Sequence, residues 1–413
     1  MSEWRETSIG SLCTIKHGFA YKGEYITNEK CSNVLVTPGN FTLSGGFKMM
    51  DKPKYYKGPV EKEYILQEGD LIVTMTDLSK GIDTLGYSAL VPKINGITFH
   101  HNQRIGLIEN ISEEVDKGFL YWTMRTRPYQ RFVANSSSGT TVHHTSPNNI
   151  SKYSFLLPTL VEQKEIASIL SSLDDKIAVN RRICENLEAQ AQALFKHWFI
   201  DFAPFKNGQF VESELGMIPE GWRVGTLGDI AEFLNGFAFK SSSFVSKGKY
   251  KVITIKAVQD GKLITDSVDE IEELPLNIPS HCVLKIGDIL LSLTGNVGRV
   301  CVVTQDNLVL NQRVCILKPR NLIDRGYVYT LSRTKLLKAR MINISKGTAQ
   351  ANLSPVETSK LSIVVPPRYV LDIFGSIVNE YMSILINTNQ ENLRLSTLRD
   401  ALLPKLMSGQ IKV

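Results

Sequence analysis

The sequence predicts a mixed α+β chain: two pseudo-repeated globular domains joined by two long helices that form an antiparallel coiled coil. Three observations carry that prediction. They are an internal repeat at a nearly constant offset, a heptad pattern after each copy of the repeat, and short apolar runs opened by Gly-Asp turns. At 413 residues the chain exceeds the size at which a single core keeps growing, so at least two domains are expected.

Trp4-Arg5, Ile9-Gly10 and Gly18-Phe19-Ala20-Tyr21-Lys22 recur as Trp222-Arg223, Leu227-Gly228 and Gly236-Phe237-Ala238-Phe239-Lys240, always 218 residues on. The same offset carries Gly69-Asp70-Leu71-Ile72-Val73 onto Gly287-Asp288-Ile289-Leu290-Leu291, so strands are expected over 70–76 and 289–294. Further on, Asn102-Gln103-Arg104 meets Asn311-Gln312-Arg313 at an offset of 209. Gly139-Thr140 with Ser146-Pro147 meets Gly347-Thr348 with Ser354-Pro355 at 208. The second copy is therefore about nine residues shorter between Thr76 and Asn102, in loop-like sequence. Helices are expected over 119–132 and 327–343. The alternative to a pair of binding domains is a duplication that only enlarges a scaffold.

After Pro158, Thr159-Leu160-Val161-Glu162 has the spacing of a capping box, so a helix is predicted to start there. Its heptad sets are Ile166, Leu173, Asn180, Leu187, Leu194 and Leu170, Ile177, Cys184, Ala191, Trp198. At about 1.5 Å per residue, such a helix to Phe199 spans roughly 60 Å. Adding 208 gives Phe374, Tyr381, Thr388, Leu395, Leu402 and Val378, Leu385, Asn392, Arg399, Leu406 on a partner seam. Antiparallel pairing would bring Asn180 and Cys184 to Thr388 and Asn392 as one polar layer. Asn180, Thr388 and Asn392 would then fix register, at some cost in stability. Two surface helices, each packed on its own domain, are the other arrangement; the polar Arg399 and the missing capping box after Pro366-Pro367 point that way. The boundaries expected are a first domain over 1–158, a helix over 159–200, a connector over 201–218, a second domain over 219–367 and a helix over 368–413. Lys206-Asn207-Gly208-Gln209, flanked by aromatic residues, is the tight-turn signal for a short hairpin in the connector.

Composition narrows the class. A hydrophobic content of 43% with 21% charged residues is that of an ordinary globular protein. No uncharged apolar run approaches the roughly 18 residues of a membrane span, and residues 1–10 lack a signal-peptide core, so a cytoplasmic protein without a membrane partner is expected. The six cysteines never fall at a paired metal-binding spacing and read as reduced packing residues. A net charge of +6 permits nucleic-acid binding without requiring it.

Taken in order and twice over, the Trp-Arg opening, the Gly-Phe-Ala-(Tyr/Phe)-Lys element, the Gly-Asp strand, Asn-Gln-Arg, the Gly-Thr turn and the following heptad helix resemble the specificity subunit of Type I restriction-modification enzymes. Ile218-Pro219-Glu220-Gly221-Trp222 looks like the usual lead-in to a recognition domain of that family, and residues 1–4 like a shortened form of it. The resemblance covers essentially the whole chain. It implies a bipartite reader of double-stranded DNA, each recognition domain on half of a split target, with the helices setting the gap. It also implies partners: two modification subunits that methylate an adenine in each half with S-adenosylmethionine bound to them, and restriction subunits that translocate and cut. No cofactor and no catalysis are expected in this chain.

The residues agree with that expectation. An adenine methyltransferase needs an Asn or Asp-Pro-Pro-aromatic loop for the flipped base, whereas Pro366-Pro367 stands between Val365 and Arg368. No Walker-type loop occurs, and Gly295-Asn296-Val297-Gly298-Arg299 lacks the third glycine of a dinucleotide fingerprint, so it reads as a turn. His100-His101 and His143-His144 are adjacent pairs without an acidic helix partner, and no metal is expected at either. A modification enzyme with an unrecognised active site and a scaffold for protein partners remain the competing classes; methylation by the chain alone would reveal the first, and absence of salt-sensitive DNA binding the second.

If the halves read different bases, residues identical in both copies are scaffold or phosphate contacts, and residues that differ read bases. Lys22 and Lys240, Arg104 and Arg313, and Thr140 and Thr348 are the first kind. After the Gly-Thr turns the copies diverge, Thr141-Val142-His143-His144 against Ala349-Gln350-Ala351-Asn352. Gln and Asn can pair bidentately with adenine and His can donate to a purine acceptor, so His143, His144, Gln350 and Asn352 are the candidate base readers. The loops containing Lys80 and Arg299, where the length difference arises, are the second choice.

Overall fold

The computed structural model describes residues 4–79, 81–345 and 352–413. The longer helices among the described residues are α1 (Lys117–Thr123), α2 (Arg127–Asn135), α3 (Leu160–Phe195), α4 (Arg325–Ser332), α5 (Lys335–Ile344) and α6 (Arg368–Met407). The chain forms two compact units, 1–175 with 395–413, and 176–394. Each long helix therefore contributes one part to each unit.

In the first unit a four-stranded antiparallel sheet runs in the order Thr14–His17, Ile105–Glu109, Leu71–Thr74, Ser88–Leu90. A second sheet of five short strands includes the parallel pair Asn33–Val36 and Thr98–His101. The second unit repeats the plan. Ala231–Asn235, Val314–Pro319, Ile289–Ser292 and Val300–Val302 form the four-stranded sheet, and Tyr250–Ile253 lies parallel to Leu308–Leu310. In both units a strand near the domain's start pairs with one near its end, Arg5–Ser8 with Ser154–Leu157 and Arg223–Thr226 with Ser362–Val365.

The runs opened by Gly-Asp are the inner strands, and every residue of Leu71–Thr74 and Ile289–Ser292 is buried. Their turns are built alike. Gly69 and Gly287 take φ of +80° and +93°, and Asp70 and Asp288 each accept a hydrogen bond of 2.7 Å from the N–H three residues earlier. The length difference is also localised. Opposite Val73 and Leu291 stand Ser88 and Val300, 212 residues apart, so most of the shortening lies in the loop between these strands and the rest before Asn102.

The helices expected over 119–132 and 327–343 are each two helices. The first breaks where Thr126 caps α2 by accepting from the Tyr129 N–H, with Pro128 in the first turn. The second breaks at Thr334, which caps α5 in the same way. The connector hairpin pairs Phe210–Ser213 with Gly216–Pro219, so its turn lies at Glu214-Leu215 rather than at Asn207-Gly208. Gly216, at φ +95°, supplies the left-handed residue, and Ser213 Oγ closes the turn on the Gly216 carbonyl at 2.6 Å.

Helix α3 starts as its capping box requires: Glu162 accepts from the Thr159 N–H at 3.0 Å and donates its own N–H to Thr159 Oγ1 at 3.4 Å. All ten residues of its predicted seam are buried or half-buried. Within the second unit α3 and α6 run antiparallel. Asn180 donates to Asn392 Oδ1 at 3.0 Å and to Glu391 Oε2 at 2.8 Å, while Cys184 meets Leu385 and Asn389. The polar layer thus includes Asn389 and Glu391, which the heptad count did not mark; Thr388 is half-buried beside them. Within the first unit Arg399 pairs with Asp174 at 2.6 Å, and Leu406 shares a core with Ile166 and Leu170. The polar residue that suggested separate helices is a bond between them.

By length and composition α6 is the one helix among the described residues that would suffice to cross a membrane. Its apolar side is occupied by protein: Val370, Leu371, Phe374, Val378, Met382 and Ile386 belong to the core of the second unit with Phe195, Phe199, Trp222 and Tyr327. All six cysteines are free, and four of them are buried.

Candidate nucleic-acid interface

The two motifs that identify the repeat are one structural element. In the first unit Phe19 donates its N–H to the His101 carbonyl at 2.8 Å, and its own carbonyl accepts from Gln103 at 2.9 Å. Gly18 approaches so closely that a Cβ there would lie 2.1 Å from the Asn102 oxygen. In the second unit Phe237 bonds Leu310 and Gln312, both at 2.9 Å, and a Cβ on Gly236 would again lie 2.1 Å from the Asn311 oxygen. Only glycine fits this contact.

The Asn-Gln-Arg turn is held by its asparagine. Asn102 Oδ1 accepts from the Arg104 N–H at 3.1 Å, and Asn311 Oδ1 from the Arg313 N–H at 3.3 Å. That leaves Gln103, Arg104, Gln312 and Arg313 exposed at the turn.

Two further segments lie beside the turn. Met75 donates to the Arg104 carbonyl at 2.9 Å and accepts from Thr145 at 3.0 Å; Leu293 donates to the Arg313 carbonyl at 3.0 Å and accepts from Leu353 at 2.7 Å. His143–His144 then pairs antiparallel with Thr76–Asp77, and Asn352 forms the corresponding bridge with Thr294. Each unit therefore carries a row of four adjacent pieces of chain: the Gly-Phe-Ala element, the Asn-Gln-Arg turn, the end of the inner strand and, last, His143–His144 in the first unit and Asn352 in the second.

The loops beyond the inner strands are braced differently. Asp77, almost fully buried, accepts from the Ser79, Thr84 and Leu85 N–H groups at 2.6 to 3.0 Å. Burial raises its pKa, but hydrogen bonds from Ser79 and Thr84 outweigh that, so the carboxyl is held below its ordinary range and stays ionised. In the shorter loop Ser292 Oγ donates to the Asn296 carbonyl at 2.6 Å and accepts from the Arg299 N–H at 3.0 Å.

The candidate residues fall as follows. Lys22 and Lys240 are exposed, each just before a single turn of 3-10 helix. Arg104, Arg313, Thr140 and Asn352 are exposed; His143 is half-buried, and the exposed His144 holds Nδ1 3.0 Å from Thr76 Oγ1. Arg104, His143 and His144 thus lie on adjacent segments of the row in one unit and Arg313 and Asn352 in the other, while Lys22 and Lys240 end the Gly-Phe-Ala elements. Arg299 differs: it is half-buried and its guanidinium is engaged by Gln259. Lys80, Thr348 and Gln350 lie outside the described residues. Gln103 and Gln312 were not singled out from the sequence, although both sit inside a motif that recurs unchanged. The strand histidines His100 and His101 are buried, and among the described residues no three His, Cys, Asp or Glu side chains gather as a metal site would need.

A family model for the Type I restriction modification DNA specificity domain matches residues 1–189 and again 219–397, one match for each copy of the repeat. The chain belongs to that family. As a Type I specificity subunit it recognises a DNA target and carries no catalysis of its own. Among its relatives is the Type I restriction enzyme MjaIX specificity subunit of Methanocaldococcus jannaschii, 32% identical over 302 residues that cover 71% of this chain and 69% of the relative. The HindI specificity subunit of Haemophilus influenzae is 24% identical over the full length of both chains. The crystal structure of a Type I S subunit from M. genitalium shares the fold, with a TM-score of 0.55 at 19% identity, covering 98% of this chain and 96% of that one. Exposed Lys and Arg have the chemistry to pair with phosphates, and polar side chains that differ between the copies have the chemistry to pair with base edges. Both kinds occur in each row.

Proposed function

We propose that this specificity subunit reads a split target in double-stranded DNA. Residues 1–158 and 219–367 each bind one half-site, and the helices over 159–200 and 368–413 set the gap, with Asn180, Thr388 and Asn392 fixing their register. Lys22, Arg104 and Thr140 in one domain, and Lys240, Arg313 and Thr348 in the other, hold the phosphate backbone. His143, His144, Gln350 and Asn352 read bases, with the loops of Lys80 and Arg299 alongside. The chain recruits two modification subunits, which bind S-adenosylmethionine and methylate an adenine in each half-site, and restriction subunits that translocate and cut; no cofactor binds here.

One observation carries this reading: the same row of four segments is built twice, hydrogen bond for hydrogen bond, and ends in His143–His144 in one unit and in Asn352 in the other. Identical backbone with different polar tips is what two grips of one design on different sequences require.

Mapping methylated adenines in a host that carries the system tests the reading, because a split motif reveals both half-sites and the gap. Changing Gln350 and Asn352 to Ala is expected to relax one half-site only, by about 1 to 3 kcal/mol for each good base contact. Equal losses on target and random DNA would show that these residues only grip the backbone.

A further inference from the structure

The copies share one more element, away from the row. Tyr121 and Arg125 stand 208 residues before Tyr329 and Arg333, and in each copy the arginine lies at the break between two helices, α1 and α2 or α4 and α5. The guanidinium carbon lies 5.0 and 5.4 Å from the centre of its tyrosine ring. Each guanidinium also donates to that tyrosine's hydroxyl, at 2.5 and 3.1 Å.

Both arginines then reach α3. Arg125 donates to Asp174 Oδ2 at 2.6 Å, and Arg333 pairs with Glu188, which also accepts from the Tyr329 hydroxyl at 2.8 Å. The two arginine side chains are only 2% and 14% exposed. In the first unit Arg399 of α6 takes the other oxygen of Asp174, so one carboxylate ties the break between α1 and α2 to both long helices.

The acids are not related by the repeat. The positions 208 residues after Asp174 and Glu188 hold Met382 and Ser396. Two halves with the same buried arginine have thus obtained a carboxylate from different places on one helix. A shared need for the pair accounts for this better than shared ancestry of the acid. A buried ion pair adds little net stability once desolvation is counted, but the planar guanidinium fork accepts few geometries, which suits it to fixing orientation.

We propose that Arg125 and Arg333 are positioning residues that key each recognition domain to α3, and so determine how strictly the gap between half-sites is read. The inference rests on the bipartite reading of the target. Neither arginine belongs to the four-segment row, so base preference should be independent of both.

The test uses the complete methyltransferase complex, assembled with the wild-type chain, Arg125→Met or Arg333→Met, in a host without other adenine methylation, with methylated positions mapped genome-wide. Failure of the wild type to give a split motif sinks the bipartite reading itself. Given that motif, each variant is expected to keep the bases of both half-sites while also methylating copies whose gap is one base pair shorter or longer. A variant with an unchanged circular dichroism spectrum that keeps the single gap overturns the assignment. So does one that loses base preference in a half-site or loses methylation altogether. Should either arginine variant be recovered unfolded, Asp174→Asn or Glu188→Gln replaces it, removing the charge at nearly constant shape, and a relaxed or strict gap is read the same way.

Discussion

His101 is a side chain whose charge state the fold controls. It is fully buried, and its Nε2 donates to the Ile105 carbonyl at 2.8 Å, bracing the Asn102–Arg104 turn from behind. Burial lowers its pKa from 6.5 to about 4, and shifts His100 in the same direction. Above pH 6.5 both folded and unfolded chains hold a neutral ring, and this contribution to stability is complete. As pH falls from 6.5 towards 4 the unfolded chain takes up a proton that the folded one refuses, so stability is lost, by about 3 kcal/mol in all for His101. The second copy has Leu310 at this position. Hydrogen exchange across that pH range should therefore show the first unit opening more readily, with the corresponding strand of the second unaffected by this cause. His101→Leu should flatten the response, and an unchanged slope would remove His101 as its origin.

At the scale of elements, the Gly-Phe-Ala segment and the Asn-Gln-Arg turn form one unit of construction, and the glycine is where it can be broken. A methyl group on Gly18 or Gly236 would press on a backbone oxygen that cannot move without displacing the turn. Gly18→Ala is expected to weaken binding of one half-site, and Gly236→Ala the other, by at least about tenfold each, or 1.4 kcal/mol. Gel-shift measurements on DNA altered in one half-site at a time would check this, and a loss from Gly18→Ala spread equally over both half-sites would contradict it. Repetition made each motif visible in the sequence, but nothing in either announced that it touches the other, because local patterns do not encode long-range pairing. The inner strands and α3 were legible because a buried run and a heptad seam each leave a periodic trace. The break at Thr126 carried a signal in Pro128, and the one at Thr334 only a lone threonine, since a buried helix pair and a single long helix share one apolar pattern. Asn207-Gly208 outweighed Gly216 as a turn signal, although the hairpin needed its left-handed residue at 216. Asn389 and Glu391 joined the polar layer from positions beside the seam, which a strict seven-residue count passes over.

For the whole molecule, four exposed cations at matched positions give a measurable footprint. If Lys22, Arg104, Lys240 and Arg313 each neutralise a phosphate, the logarithm of affinity for random DNA should fall with the logarithm of salt concentration at a slope of about −3.6 from these residues. Lys22→Ala should reduce that slope by about one, equally on target and non-target sequences; an unchanged slope would place Lys22 off the backbone. The division into units has a different consequence, for biosynthesis. The second unit is a continuous stretch, 176–394, whereas the core of the first includes Leu406 from the segment 395–413, with Leu402, Leu403 and Met407 packed against it. A nascent chain emerges from the ribosome in order and its domains tend to fold as they emerge. Here the recognition domain translated first must wait, with part of its apolar interior unfilled, until the other has been synthesised.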